Sequence, residues 1–167
     1  MPYFKVVTSH ACKYQEKFPE QKYHDEESVR DVINYIFQSS KTRLDCVGGI
    51  AVNPVMAEIQ FNAIAEFYGK NYGVRLRHMV LSFSPEENIS LENLKRIAYQ
   101  AASYFGGEYQ IVYAIHLDST HPHVHFVQNT VSYRTGNKYA GSKKDYSSFI
   151  HYLRTLLKQY GYPVLIV

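Results

Sequence analysis

The fold of this 167-residue chain is decided by the stretch Ile111-Val112-Tyr113-Ala114-Ile115-His116-Leu117-Asp118-Ser119-Thr120-His121-Pro122-His123-Val124-His125-Phe126-Val127-Gln128-Asn129. Its first five residues are β-branched, aromatic or small, which is typical of a strand, and residues 124–131 have the same character. The residues between are turn sequence, because Asp and Ser bond nearby backbone and Pro cannot sit inside a β-ladder. The stretch therefore predicts a β-hairpin.

This hairpin brings histidines together on one face of the predicted sheet. Side chains alternate along a strand, so His123 and His125 point the same way. A hairpin folded about Ser119-Thr120 places His116 opposite His123, where Cβ atoms lie about 5 Å apart. Three neutral imidazoles suit a divalent transition metal and leave positions open for a substrate. We expect a metal site here, with Asp118 beside it to orient a histidine or to take up a proton.

Length and composition fit one globular domain spanning residues 1–167, with 46% hydrophobic residues and a net charge of +3. No apolar run is long enough to span a bilayer, and the first residues lack the pattern of a signal peptide. Cys12 and Cys46 have no metal-ligand spacing, so we expect two unpaired thiols in a reducing cytoplasm. The apolar end Val164–Val167 suggests a last strand, or a domain cut from the amino-terminal part of a longer protein.

Hydrophobic periodicity predicts the remaining elements, separated at Ser9–Glu27 by a polar loop. Strands are expected over Tyr3–Thr8, Leu44–Val52 and Val74–Phe83, and helices over residues 28–38, 54–68, 90–104 and 147–160. These elements predict an α+β fold with a mainly antiparallel sheet of about five strands and helices packed on one face. The other face, with the histidines, is then left for substrate.

Basic residues in two places are candidates for contacts with phosphate groups. Arg75 and Arg77 fall two residues apart in a predicted strand and are expected to share a face. Lys138, Lys143 and Lys144 fall in a Gly-rich segment, residues 134–145, that is predicted to be a loop. Each set can equally be a solvated surface.

Three segments resemble the motifs of conjugative relaxases, the mobilisation nucleases of the HUH endonuclease superfamily. His116-x-Asp118 followed by His123-hydrophobic-His125 and Asn129 resembles the third motif. Val32-Ile33-Asn34-Tyr35-Ile36 with Lys41-Thr42 after it looks like the nucleophile motif of the IncP- and VirD2-related types. The strand end Val80-Leu81-Ser82-Phe83 resembles the second motif.

The resemblance implies roles for individual residues. Tyr35, on the flank of the apolar stripe of its predicted helix, would be the nucleophile, and Asp118 a nearby base. His116, His123 and His125 would hold the metal, with Mn²⁺ or Mg²⁺ the expected ion. Ser82 and Asn129 would contribute to DNA binding.

The implied activity is site- and strand-specific nicking and transesterification of DNA at an origin of transfer, through a 5′-phosphotyrosyl intermediate. The implied partners are single-stranded DNA, accessory relaxosome proteins and a coupling protein, in a bacterial cytoplasm without membrane insertion. Such a domain would serve the mobilisation of a plasmid or an integrative element.

Other interpretations remain open at this point. A rolling-circle replication initiator of the same superfamily would use similar chemistry, although its motifs are expected in the reverse order. A hydrolase with a three-histidine metal would cut without a covalent adduct, and a nucleic-acid-binding sheet with incidental histidines would need no metal. Tyr14 or Tyr23 can also replace Tyr35 as the nucleophile.

Overall fold

A computed structural model describes residues 1–7 and 23–167. Five strands form one sheet in the order β1-β3-β5-β4-β2, and every neighbouring pair is antiparallel. The strands are β1 (Tyr3–Val6), β2 (Val47–Ile50), β3 (Leu76–Ser82), β4 (Tyr109–His116) and β5 (His123–Ser132). The helices are α1 (Glu26–Ile36), α2 (Ala57–Phe67), α3 (Leu91–Ser103) and α4 (Lys143–Gln159). The predicted α+β class and the antiparallel sheet of five strands are confirmed.

The predicted hairpin forms the centre of the sheet. β4 pairs with β5 in the expected register, with His116 opposite His123 and Ile115 opposite Val124. β5 lies between β4 and β3, and every residue of this strand after His123 is buried. A strand that is buried throughout must be covered on both of its faces.

Helices cover both faces of the sheet, so the prediction of helices on one face is wrong. On one face α3 and α4 pack on residues such as Met79 and Phe126. On the other face α1 and α2 pack on Leu76, Val112 and Val127. Leu76, Val112 and Val127 lie on the same face of the sheet as the histidines. The histidine face therefore carries apolar side chains that must be buried.

Two helices begin at residues other than those predicted. α1 is capped by Asp25, whose side chain accepts hydrogen bonds from Ser28 N at 2.7 Å and Ser28 Oγ at 2.6 Å. Ser28, where the helix was predicted to begin, is therefore a donor in the first turn, and Asp25 is the cap. α4 begins four residues before the predicted start at residue 147, because Ser142 and Asp145 form a capping box. The segment with Lys143 and Lys144 is thus the first turn of a helix and not a loop.

Several predictions concern residues 8–22, which lie outside the described part of the chain, Tyr14 and Cys12 among them. Tyr23 lies within the described part and is buried in the core beneath α1 and α2. Its backbone oxygen accepts a hydrogen bond from Arg75 N. In residues 1–7 and 23–167, no helix combines the length and the apolar character that crossing a bilayer requires.

Candidate functional site

The three histidines of the hairpin converge on one point of the sheet. The ring centroids of His116 and His125 are 4.4 Å apart, those of His123 and His125 5.0 Å, and those of His116 and His123 5.1 Å. One nitrogen from each ring can be chosen so that all three lie within 4.8 Å of one another. The antiparallel register produces this arrangement, because it sets His116 directly opposite His123.

Hydrogen bonds at the outer nitrogens fix the tautomers of two rings. His116 Nε2 lies 2.8 Å from the backbone oxygen of Ile36, the last residue of α1. His123 Nδ1 lies 2.9 Å from the backbone oxygen of His121 in the turn. A carbonyl oxygen can only accept, so both of these nitrogens carry a proton and donate. The lone pairs of His116 Nδ1 and His123 Nε2 are therefore free for a metal.

The third ring is held by a histidine from the neighbouring strand. His125 Nδ1 lies 2.7 Å from His78 Nε2, and both side chains are buried. Within the described residues, His125 Nε2 is buried without a hydrogen-bond partner. An orphaned imidazole nitrogen is costly to bury unless a ligand or ion satisfies it. A metal on Nε2 requires the proton on Nδ1, which then donates to His78.

Burial favours the neutral form of His116 and His125, which is the form in which an imidazole binds a metal. Loss of solvation lowers the pKa of His125 far below its usual range, and the charges of neighbouring groups add to this effect. Loss of solvation also lowers the pKa of His116, against a raising effect of its hydrogen bond to Ile36. Three imidazoles with oriented lone pairs fit a divalent transition metal. A hydrogen-bond acceptor at the nitrogen that faces away from the metal is typical of metal-bound histidines.

Tyr35 lies directly over this cluster. α1 packs on the histidine face through Val29, Val32, Ile33 and Ile36. The Tyr35 ring, half-buried, has its centroid 5.5 Å from that of His125 and 5.9 Å from that of His116, edge-on to both. The hydrogen bond from His116 to Ile36 links the end of this helix to the cluster. The fold thus brings a phenol, from a distant part of the sequence, beside three converging imidazoles.

Two residues at this site were assigned no role from the sequence. For His78 the sequence predicted only a place in the strand Val74–Phe83, although its position beside His125 follows from the pairing of Val80 with His125. Lys41 places its ammonium 4.1 Å from the centroid of the Tyr35 ring. The shared face with two predicted ligands was a usable signal for His78. Lys41 belongs to the segment that resembles the nucleophile motif, but the sequence alone assigned it no role.

Asp118 and Ser82 border the cluster in different ways. Asp118 is exposed in the turn, and its charge raises the pKa of His116 slightly against the dominant effect of burial. In the described part of the chain it makes no hydrogen bond to a histidine, so the predicted orienting role falls to Ile36, His121 and His78 instead. Ser82 ends β3 opposite His123 and is partly exposed.

Two predicted DNA contacts are internal to the protein. Asn129 is 1% exposed and donates to Phe61 O at 3.3 Å and Gln110 Oε1 at 3.1 Å. Arg75 is 5% exposed and donates to Asn62 and Asn71. Both side chains are used to hold the sheet and α2 together, which corrects the prediction that they meet DNA.

The remaining basic residues lie away from the histidines. Arg77 stacks over the Tyr139 ring, with its guanidinium carbon 4.5 Å from the centroid, so the expected pairing with Arg75 on one face is wrong. β3 begins only at Leu76, and Arg75 therefore escapes the alternation. Lys138 donates to the backbone oxygen of Tyr72. Arg77 and Lys143 line one cleft of about 530 Å³, and Lys144 is exposed beside it.

Comparison with known proteins agrees with the geometry of this site. The sequence profile of the family described as "Relaxase: MobA/VirD2-like, nuclease domain" matches residues 35–162. The group II intron-interrupted relaxase LtrB of Lactococcus lactis subsp. cremoris (strain MG1363) is 31% identical over 118 residues, which are 70% of this chain and 21% of that protein. A protein rlx of Staphylococcus aureus is 29% identical over 117 residues, 70% of this chain and 35% of that protein. The matched region starts at the tyrosine over the histidines and contains all three of them, and the chain belongs to the MobA/VirD2-like relaxase nuclease domain family.

Proposed function

We propose that this domain nicks one strand of DNA at an origin of transfer and keeps the cut strand as a covalent tyrosine adduct. The observation that carries the proposal is the position of the Tyr35 ring, within 6 Å of the ring centroids of His116 and His125. An imidazole cluster alone is compatible with a hydrolase. A phenol held over that cluster supplies a nucleophile that a hydrolase would not need.

The transfer step can be written with the groups at hand. The phenolic oxygen of Tyr35 forms a bond to the phosphorus, and the bond from phosphorus to the 3′ oxygen breaks. The phenol proton is released, with Asp118 the proposed acceptor, and the departing 3′ oxygen takes up one proton. The products are a 5′-phosphotyrosyl bond and a free 3′-hydroxyl. One phosphodiester is exchanged for another, so the reverse reaction can rejoin strands without ATP.

The chain's residues have distinct tasks in this scheme. His116, His123 and His125 would hold a divalent ion, Mn²⁺ or Mg²⁺, which when bound neutralises charge on the scissile phosphate. The hydrogen bond between His116 and Ile36 fixes the end of α1 relative to the cluster, and it therefore holds the Tyr35 phenol at a fixed distance from the rings. Ser82 is the proposed contact for the strand near the cut, and its partial exposure opposite His123 supports this role.

The proposed substrate is single-stranded DNA at the nick site, since a tyrosine between a helix and a sheet reaches a splayed strand more readily than a stacked duplex. Arg77 and Lys143, which line one cleft, with Lys144 next to it, are proposed contacts for more distant phosphates. Accessory relaxosome proteins and a coupling protein are proposed partners of the whole process. The chain spans about a fifth of the length of LtrB and about a third of the length of protein rlx.

The test is a covalent-adduct assay. The protein is incubated with labelled oligonucleotides covering candidate origin sequences and Mn²⁺ or Mg²⁺, and the products are run on a denaturing gel. We expect an adduct with the wild-type protein that is absent in EDTA and absent for Tyr35→Phe. Tyr99→Phe, at an exposed tyrosine of α3 on the other face of the sheet, is the matched control and should form the adduct normally.

Each alternative predicts a different pattern on the same gel. Cutting without an adduct indicates a hydrolase that activates water. Binding that is equal in EDTA and without cutting indicates a binding domain only. An adduct that survives Tyr35→Phe but is lost in Tyr14→Phe or Tyr23→Phe moves the nucleophile to that residue. Preference for a replication origin over an origin of transfer indicates a rolling-circle initiator.

A further inference from the structure

We propose that Lys41 binds the scissile phosphate beside Tyr35 and is a further catalytic residue of the strand-transfer reaction. This inference rests on the proposed function and adds to it a second cationic group that contacts the reacting phosphate. It starts from the position of the Lys41 ammonium, 4.1 Å from the centroid of the Tyr35 ring.

The backbone around Lys41 is fixed to the end of β4, where His116 lies. Leu117 N donates to Lys41 O at 3.0 Å. The Thr42 hydroxyl, in a buried position, donates to Ile115 O at 2.7 Å. These two bonds flank His116 on both sides, so residues 41 and 42 are anchored to the strand that carries a predicted metal ligand. The base of the lysine side chain therefore has a defined position relative to the cluster.

The ammonium of Lys41 points toward the site and is not used elsewhere in the described structure. Its side chain is half-buried and, among residues 1–7 and 23–167, forms no ion pair with a carboxylate. Lys95, by contrast, is paired with Asp45 at 2.6 Å. The charge of Lys41 also reaches the cluster, where it helps burial to lower the pKa of His116 and of His125.

A cation beside neutral rings, without a carboxylate partner, favours an anion from outside the protein. The scissile phosphodiester is such an anion, and attack by Tyr35 adds charge to its non-bridging oxygens. A donor aimed at these oxygens binds the transition state more strongly than the ground state. Lys41 stays protonated through the step, because it donates a hydrogen bond to a non-bridging oxygen while the phenol proton goes elsewhere.

A packing role is the alternative for Lys41. A cation over a tyrosine face is attracted to the ring, and this contact alone would hold the phenol ring in place. The two roles differ in what they require of the phosphate. A packing contact is indifferent to the charge of the phosphate, whereas a phosphate contact depends on it.

The first experiment measures the rate of adduct formation on an oligonucleotide whose nick site has been mapped with the wild-type protein. We expect Lys41→Met to slow the reaction about 100-fold, as the loss of one transition-state donor does elsewhere. Lys41→Arg should recover a large part of the rate. The matched control is Lys158→Met, at an exposed lysine in the last turn of α4, which should leave the rate unchanged.

The second experiment is a binding cycle in the Tyr35→Phe background, where no cutting occurs. Affinity is compared for DNA with a normal phosphate and with a neutral methylphosphonate at the nick site. With Lys41 present the neutral group should weaken binding, and with Lys41→Met this loss should disappear. The salt dependence of log K for the normal DNA should also become shallower by about 0.7 in Lys41→Met.

The outcomes separate this inference from the proposed function. If the wild-type protein forms no adduct on any strand, the proposed function fails and this inference fails with it. If the wild-type protein forms the adduct and Lys41→Met matches it, only the role of Lys41 is refuted. If Lys41→Met is slow but the methylphosphonate weakens both proteins equally, Lys41 positions Tyr35 and does not bind the phosphate.

Discussion

Removing His78, the hydrogen-bond acceptor next to His125, is the most direct test of how the proposed metal site is built. His78→Leu deletes the partner that lies 2.7 Å from His125 Nδ1 in a position where both rings are buried. In the metal-free variant the His125 proton can move to Nε2, toward the centre of the cluster. A metal on Nε2 forces the proton back to Nδ1, where it has lost the acceptor that His78 provided.

The cost of His78→Leu therefore falls mainly on the metal-bound form. Leaving one buried N–H unpaired costs about 1–3 kcal/mol. Partners of this kind, when mutated, typically weaken metal binding about 10- to 100-fold, which is the same range. We expect Mn²⁺ binding to weaken by this factor. His78→Gln, whose amide oxygen can accept the proton, should recover part of the loss.

Isothermal titration calorimetry with Mn²⁺ measures the effect directly, and urea unfolding in EDTA shows whether each variant is folded. His151→Leu is the control, because it removes an exposed histidine on α4, on the opposite face of the sheet. Wild-type affinity in a folded His78→Leu protein would refute the positioning role. A folded His78→Gln protein that binds as weakly as His78→Leu would show that hydrogen-bond acceptance is not the reason.

Three further predictions concern stability and the metal ligands. Burial lowers the pKa of His125 from 6.5, so in EDTA the folded protein keeps the ring neutral while the unfolded chain protonates it. This contribution of His125 to the free energy of unfolding should be fully present above pH 6.5. Below pH 6.5 the free energy of unfolding should fall by up to about 1.4 kcal/mol per pH unit, as measured by urea titration at several pH values. Gly136→Ala should lower the free energy of unfolding by at least about 2 kcal/mol, because φ is +72° and a Cβ would lie 2.3 Å from the Tyr68 ring. Gly161→Ala, which has open space around it, should lower the free energy of unfolding by only about 1 kcal/mol in the same urea titration. His123 is partly exposed, so His123→Ala should change the free energy of unfolding in EDTA by less than about 0.5 kcal/mol while calorimetry shows weaker Mn²⁺ binding. Loss of the cooperative thermal transition in this variant would instead indicate a structural ion.

The hairpin could be predicted because its information is local. Alternation along the strands set which residues share a face, and the turn set the register that pairs His116 with His123. The same local rules predicted a helix from residue 90, and Ser90 is the cap of α3. They did not separate Asp25 from Ser28 at the start of α1, because both residue types are good caps and only the folded helix shows which one accepts.

Contacts between segments that are distant in the sequence could not be predicted from strand alternation, turns and helix caps. In the sequence, Arg75 and Arg77 are spaced as residues on one face of a strand. The strand begins between them, at Leu76, and Arg75 donates a hydrogen bond to Asn62 of α2. Asn129 matches a motif position, but its amide is used inside the protein by Gln110. In each case the side chain found an internal partner, and the sequence does not state where such a partner will be.

The error about the helices shows most clearly how the site works. A strand face with histidines looks solvated in sequence, because polar groups are costly to bury without partners. Here a helix supplies one such partner. The last carbonyls of a helix have no partner within it, and the oxygen of Ile36 accepts the proton of His116 at 2.8 Å. The negative end of the helix dipole also favours an N–H donor at this place. The hydrogen bond that lets α1 cover the polar face is therefore also the bond that orients His116, a proposed metal ligand, and that holds Tyr35, one residue earlier, over the cluster.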